Sequence, residues 1–407
     1  MAYQAARRAE FDWLRVLALG LLFVFHSAMG FSDWPWHVKD THHSWFLDNL
    51  LDFMLRWRVA LVFIVSGAAL MFALGVRTPR AILRERFSRL LIPLIFGMLA
   101  IVPPQVYLER VQHKQFSGSY LDFLPHIFDG FYPQGNLSWH HLWFIPYVLI
   151  LTAAAMPHFA WARSPAGRRK LDPIMRAVAE RHLYWLLVVP LALAELGMHV
   201  QGSDDHTVIG DARGWMQFAT LMVMGGALAL WPELLAAVQR LRFVSLIAAI
   251  VAYSALRAEW PPGELDPVLL PLPSAIGWCN LSALNVFAWV MTGVGFLTRW
   301  FNRPSPVLSY ATEAAMPVYV LHQTLIVFAV YQLGHEHWPL PVKYIITFTF
   351  ALFGSLALYE LLIRRSSWLR VLFGVKPRAR NIGAEVLVPS PSRATASVTS
   401  RLRGPSS

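Results

Sequence analysis

Trp13-Leu14-Arg15-Val16-Leu17-Ala18-Leu19-Gly20-Leu21-Leu22-Phe23-Val24-Phe25-His26-Ser27-Ala28-Met29-Gly30-Phe31 decides the class of this protein. A hydrocarbon core about 30 Å thick is crossed by roughly 20 mostly apolar helical residues, each rising about 1.5 Å. This run has that length and character, broken only by the ionisable Arg15 and His26. Similar runs recur over 13–31, 55–75, 90–107, 139–161, 183–200, 214–231, 243–257, 275–298, 311–333 and 342–363. The seventh is the shortest. The expected fold is all-α, a polytopic transmembrane helical bundle of about ten helices. Pro93, Pro146, Pro190 and Pro317 fall in or beside spans, and they predict kinks rather than breaks, because neighbouring helices re-satisfy the freed backbone groups.

Composition agrees. Of 407 residues, 56% are hydrophobic and only 14% charged, with 17 Trp and 26 Phe, as suits a chain whose main solvent is lipid. The single Cys279 excludes an internal disulfide and a cysteine metal cluster. A net charge of +11 could suggest nucleic acid. The basic residues instead lie in short loops between apolar runs, so topology explains them and no nucleic-acid partner is expected. With both termini cytoplasmic, the inside segments hold 26 of the 35 Lys and Arg residues and the outside segments six. Losing one span would invert every later loop, so this asymmetry supports an even number of spans and a multi-pass protein of the bacterial inner membrane. Ser27-Ala28-Met29 is a poor cleavage site, so the first span is read as retained. Residues 1–365 are read as the membrane domain. Residues 366–407 are read as a cytoplasmic, basic, Ser/Pro-rich tail without apolar periodicity, expected to be disordered.

Chemistry is sought at ionisable groups inside spans, which are costly in lipid and line bundle interiors or wet cavities. Arg15 and His26 stand eleven positions apart, about three turns, so they share a helix face with about 16 Å between them along the axis. Snorkelling to headgroups is the bland reading of Arg15, and an interhelical hydrogen bond that of His26. A partly desolvated neutral imidazole suits general-base work. Arg86 and Arg89 in Arg84-Glu85-Arg86-Phe87-Ser88-Arg89 share another face, and planar guanidinium groups grip phosphates bidentately; an ordinary positive-inside cluster is the alternative. Further candidates for the lining of a site are Arg58, His141, Trp143, Glu313, Tyr319 and His322. Arg58 lies at an outer helix end, where cations are depleted, and so needs an anionic partner or a ligand. Trp139-His140-His141-Leu142-Trp143-Phe144 also reads as an interfacial aromatic belt. The histidines lack the spacing of a helix-borne zinc motif, and no metal is expected.

Phe11-Asp12-Trp13-Leu14-Arg15 through His26, Trp36-His37-Val38, Phe63-Ile64-Val65-Ser66-Gly67, Arg86-x-x-Arg89, His141-Leu142-Trp143-Phe144 and Leu308 through Tyr319 to His322-Gln323-Thr324 together resemble the acyltransferase-3 family of bacterial membrane acyltransferases. The resemblance spans roughly 10–365. It implies transfer of an acyl group, of the acetyl or succinyl class, from cytoplasmic acyl-CoA to a hydroxyl of a periplasmic or cell-surface glycan. By the same resemblance His26 is the catalytic histidine, Arg15 its partner, and Arg86 with Arg89 part of the donor site. No cofactor is expected to be permanently bound; acyl-CoA is the donor substrate, and the glycan acceptor and the lipid bilayer are the other partners. His26 would either deprotonate the acceptor hydroxyl or take the acyl group covalently. The competing reading is a proton-coupled transporter or flippase for a glycan or lipid-linked sugar, since intramembrane His, Glu and Arg build such pathways too. No inverted repeat supports it.

Overall fold

The computed structural model describes residues 8–201, 208–260 and 270–377, and these are helical without strands, an isolated bridge between Phe131 and Leu137 aside. Of the tail expected to be disordered over 366–407, residues 366–377 are described and carry a helix, Ser367–Leu372, with Arg370 buried; the remainder falls outside the described residues. The first span is α1 (Ala9–Met29), ended at Gly30. α2 (Trp45–Leu55) and α3 (Arg58–Ala73) make one 29-residue stretch, broken at Arg56 and Trp57. The next span is longer than its apolar run. α4 (Pro79–Phe96) starts well before residue 90, so Arg80, Arg84, Arg86 and Arg89 are helical rather than loop residues. It passes through a π turn at Gly97–Ile101 into α5 (Pro103–Gln112). Pro103 and Pro104 lack amide donors, and a widened turn absorbs the interrupted ladder.

After a short α6 (Tyr120–Phe123), a 3₁₀ turn at His140–Trp143 leads into α7 (Phe144–Arg163). α8 (Pro165–Glu180) meets the segment Leu183–Gly197, which includes most of α9 (Val188–Gln201), at 98°. α10 (Ala212–Leu230) meets α11 (Pro232–Arg240) at 105°. α12 (Arg242–Glu259), α13 (Leu272–Trp300), α14 (Pro306–Leu333), α15 (Leu340–Leu358) and α16 (Ser367–Leu372) complete the order. Among the described residues, seven helices are long and apolar enough to cross a membrane, or nine if each bent pair is one span. The sequence reading of ten differs by α12, which carries Arg242, Arg257 and Glu259 within its 18 residues. It still presents Phe243, Val244, Ile247, Ile250 and Val251 outward, the pattern of a face turned to hydrocarbon.

Two buried apolar cores meet along α1. Phe11, Leu14 and Ala18 pack into one with α3, α7, α10 and α13. Phe23, Phe25 and Ala28 pack into the other with α2, α14 and the helices around them. α3 and α10 approach backbone to backbone, and a Cβ at Gly67 or Gly225 would collide with the carbonyl oxygen of Met222 or Ile64. Small residues permit that approach in a membrane, where packing and not water exclusion drives helix association. The seam between the cores, where α1, α3, α4, α7 and α14 converge, is left partly open.

Candidate active site

That opening is a cavity of about 410 Å³. One end is lined by Arg77, Glu85, Arg86, Arg89 and the Gly374 backbone, and the other by His26, Arg58, His141, Trp143 and Tyr319. Arg15 and Glu313 also line it, so every residue singled out from the sequence except His322 borders one space. Apolar side chains such as Leu19, Leu22, Val62 and Val65 form much of the wall between the ends.

His322 is absent from the wall because it stands behind His26. The two rings are joined by His26 Nδ1 and His322 Nε2 at 2.8 Å. His322 Nδ1 lies 2.5 Å from the Tyr319 carbonyl oxygen, one turn back on α14. This chain assigns the protons. A carbonyl only accepts, so His322 Nδ1 carries hydrogen; in a neutral ring Nε2 is then the acceptor, and His26 Nδ1–H donates to it. The lone pair of His26 is thereby placed on Nε2. An imidazole with its tautomer set by a second histidine is the arrangement general-base or nucleophilic catalysis requires.

His141 is held by the same helix. Its Nε2–H donates to the Val320 carbonyl at 3.1 Å, and the Tyr319 hydroxyl donates back to the His141 carbonyl. Among the described residues His141 Nδ1 is a buried acceptor without a hydrogen-bond partner. Tyr319 therefore serves to join α14 to the 3₁₀ turn rather than to offer a free phenol. Trp143 packs edge-on to Tyr147, with centroids 5.8 Å apart, and forms a wall.

At the opposite end, Arg86 donates to Thr152 Oγ1 at 3.3 Å and to the Ser66 carbonyl at 3.4 Å, tying α4 to α7 and α3. Arg89 Nε donates to the Gly374 carbonyl at 2.8 Å, and its Nη1 lies 3.3 Å from Glu85 Oε1. Glu85 also pairs with Arg77, and with Lys376 Nζ at 3.3 Å. Burial, then the charges of Arg89 and Arg77, holds the Lys376 ammonium below the ordinary lysine range; a single carboxylate does not neutralise this mouth. Glu313 accepts from Arg370 at 2.8 Å. Arg15 lies 3.8 Å from Asp12 and within electrostatic reach of Arg86. Along an unbroken α1 its backbone position is about 16 Å from that of His26, and its charge is felt at Arg86, so it groups with the arginines.

Sequence reading passed over two groups. Arg77, Glu85 and Lys376 looked like loop or tail charges, and only chain folding brings them together. His37, Glu109 and His140 are the other group, with ligand-type atoms within 4.8 Å of one another. His37 Nδ1 bonds Glu109 Oε2 at 2.9 Å, and Tyr132 donates to Glu109 Oε1 at 3.0 Å. Burial, then the Glu109 carboxylate, pushes the Tyr132 hydroxyl above its ordinary range. The His37 and His140 rings stack at 4.0 Å and 12°. Imidazole lone pairs lie in the ring plane, so near-parallel planes do not converge on one ion, and a shared metal fits this cluster poorly.

The sequence pattern of the acyltransferase domain family matches residues 8–360. Glucans biosynthesis protein C of Salmonella heidelberg is 24% identical over 388 residues, covering 92% of this chain and 96% of that protein. The proteins of that name from Salmonella typhi and Salmonella typhimurium show the same identity and coverage. No solved structure matches.

Proposed function

Because this chain belongs to the acyltransferase domain family of membrane acyltransferases, we propose that it moves an acyl group of the acetyl or succinyl class from acyl-CoA to a glycan hydroxyl, with the donor entering at the arginine end. The observation that carries this reading is the continuity of one cavity between a cluster of guanidinium groups and a histidine whose free lone pair is set by hydrogen bonding. Coenzyme A has an anionic nucleotide end and a long flexible arm. Arg77, Arg86, Arg89 and Lys376 would hold its phosphates through charge-assisted bonds, while the arm runs along the apolar wall and delivers the thioester to His26. Arg15, part-way along, adds positive potential to that path. His26 acts as base on the acceptor hydroxyl. The name of the similar Salmonella proteins supports a glucan as acceptor. The distribution of Lys and Arg supports an inner-membrane orientation with the arginine end cytoplasmic and the acceptor reached from the periplasm.

Sealed inner-membrane vesicles of both orientations test the proposal with labelled acetyl-CoA or succinyl-CoA outside and glucan inside. Label is expected to enter the glucan only when the cytoplasmic face meets the donor. Transfer only in the reverse arrangement would overturn the assigned direction, and transfer in neither arrangement would remove the coenzyme A donor.

Glu85 holds the place of a phosphate. It shares Arg77, Arg89 and Lys376, which a donor must recruit. Glu85→Gln keeps the shape and removes the competing charge, so KM for acyl-CoA is expected to fall about three- to tenfold, the worth of about 1 kcal/mol of relieved competition. Steady-state titration of donor at saturating acceptor measures it; an unchanged or raised KM would place the phosphates elsewhere.

A further inference from the structure

Arg58 is the first residue of α3, its side chain faces the cavity near His26, and it is only 8% exposed. Its Nε and Nη1 are buried with no hydrogen-bond partner, and among the described residues no carboxylate pairs with it. The carboxylates on the cavity wall are already engaged, Glu85 by Arg77, Arg89 and Lys376, and Glu313 by Arg370. Instead the guanidinium carbon sits 3.3 Å over the ring of Phe25, the neighbour of His26, and its charge is within electrostatic reach of both His26 and His322. A buried cation left unpaired is strongly unfavourable. A fold retains one where an anion arrives during function.

We infer that Arg58 is a catalytic residue that holds the oxyanion formed on the acyl carbonyl during transfer. The inference rests on the acyl-transfer reading above. As the acceptor hydroxyl oxygen bonds to the thioester carbonyl carbon, its proton passes to His26 Nε2 and the carbonyl π pair moves onto oxygen. That oxygen becomes the anion facing Arg58. Collapse restores the carbonyl, breaks the carbon–sulfur bond, and returns the proton from His26 to the departing thiolate. Donor and acceptor become ester and free thiol, with no other reactant. A guanidinium fixed on an aromatic face in an apolar wall is preorganised for charge that develops only in the transition state, where such donors act most strongly.

Arg58→Gln and Arg58→Lys, compared with wild type and His26→Ala, test the inference with acetyl-CoA and succinyl-CoA as donors. Arg58→Gln is expected to lower kcat about 10²- to 10³-fold with either donor, leaving donor KM within about threefold, and Arg58→Lys to recover part of the loss. Arg58→Met is expected to raise Tm in detergent while remaining inactive, because removing an unpaired buried charge stabilises the fold and removing a packing residue does not. Three results would overturn the inference: near-wild-type kcat in Arg58→Gln while His26→Ala is inactive; a loss confined to succinyl-CoA and expressed in KM, which would make Arg58 an anchor for an acyl carboxylate; or failure of the Arg58 variants to accumulate in the membrane, which would assign it to folding. Activity retained by His26→Ala would instead remove the acyl-transfer mechanism and this inference with it.

Discussion

His26→Ala is expected to abolish acyl transfer, with kcat falling at least ~10³-fold while the protein inserts at wild-type levels. A positioned base supplies about 10²- to 10⁴-fold, and His26 is the cavity-lining imidazole whose lone pair is directed by a second histidine. His141 offers another unpartnered nitrogen, Nδ1, on the same wall. It is fixed to the Val320 carbonyl by its other nitrogen, and no second ring sets its direction as His322 does for His26. His322→Ala leaves the base present but free to rotate and change tautomer, so a smaller loss, about 10- to 100-fold in kcat with donor KM unchanged, separates orientation from proton transfer. Full activity in His26→Ala would end the mechanism; equal losses in both variants would mean that the two rings act as one unit.

The paired substitution Arg86→Ala with Arg89→Ala is expected to raise KM for acyl-CoA at least tenfold and to change KM for the acceptor less than twofold. Hydrogen bonds to charged groups contribute about 1.5–3 kcal/mol each, and both side chains border the same end of the cavity. Wild-type donor KM should also rise with ionic strength, and the double variant should lose most of that dependence, since screening acts on the phosphate contacts. Arg86 bonds Thr152 and the Ser66 carbonyl as well, so membrane abundance and Tm are measured alongside. Equal rises in donor and acceptor KM would assign the arginines to topology and packing.

The transporter reading yields to acyl transfer through family membership rather than through any single intramembrane charge, because His, Arg and Glu in a cavity suit either task. Arg15 and His26 were legible as a pair, since α1 is one unbroken helix and helical period alone puts positions eleven apart on one face. Their roles were not. The same arithmetic that aligns them separates them, and only the folded structure shows that Arg15 lines the cavity within electrostatic reach of Arg86. Helix α2, which precedes the run read at 55–75, escaped the sequence reading because Asp48, Asn49 and Asp52 interrupt its apolar character, and hydropathy measures solubility in lipid rather than helix formation.

Sequence by itself determined that lipid is the solvent, roughly where the chain crosses it, and which ionisable residues stand inside spans. Those properties follow from apolar length, 1.5 Å rise and 3.6-residue period, which act between near neighbours. Tertiary structure alone decided that His322, 296 positions from His26, sets its tautomer, that Arg89 reaches Gly374, and that among the described residues Arg58 is left without an anion. Hydrogen bonds and charges act over a few ångströms of space regardless of separation along the chain, so their partners exist only after helices from opposite ends of the sequence have packed.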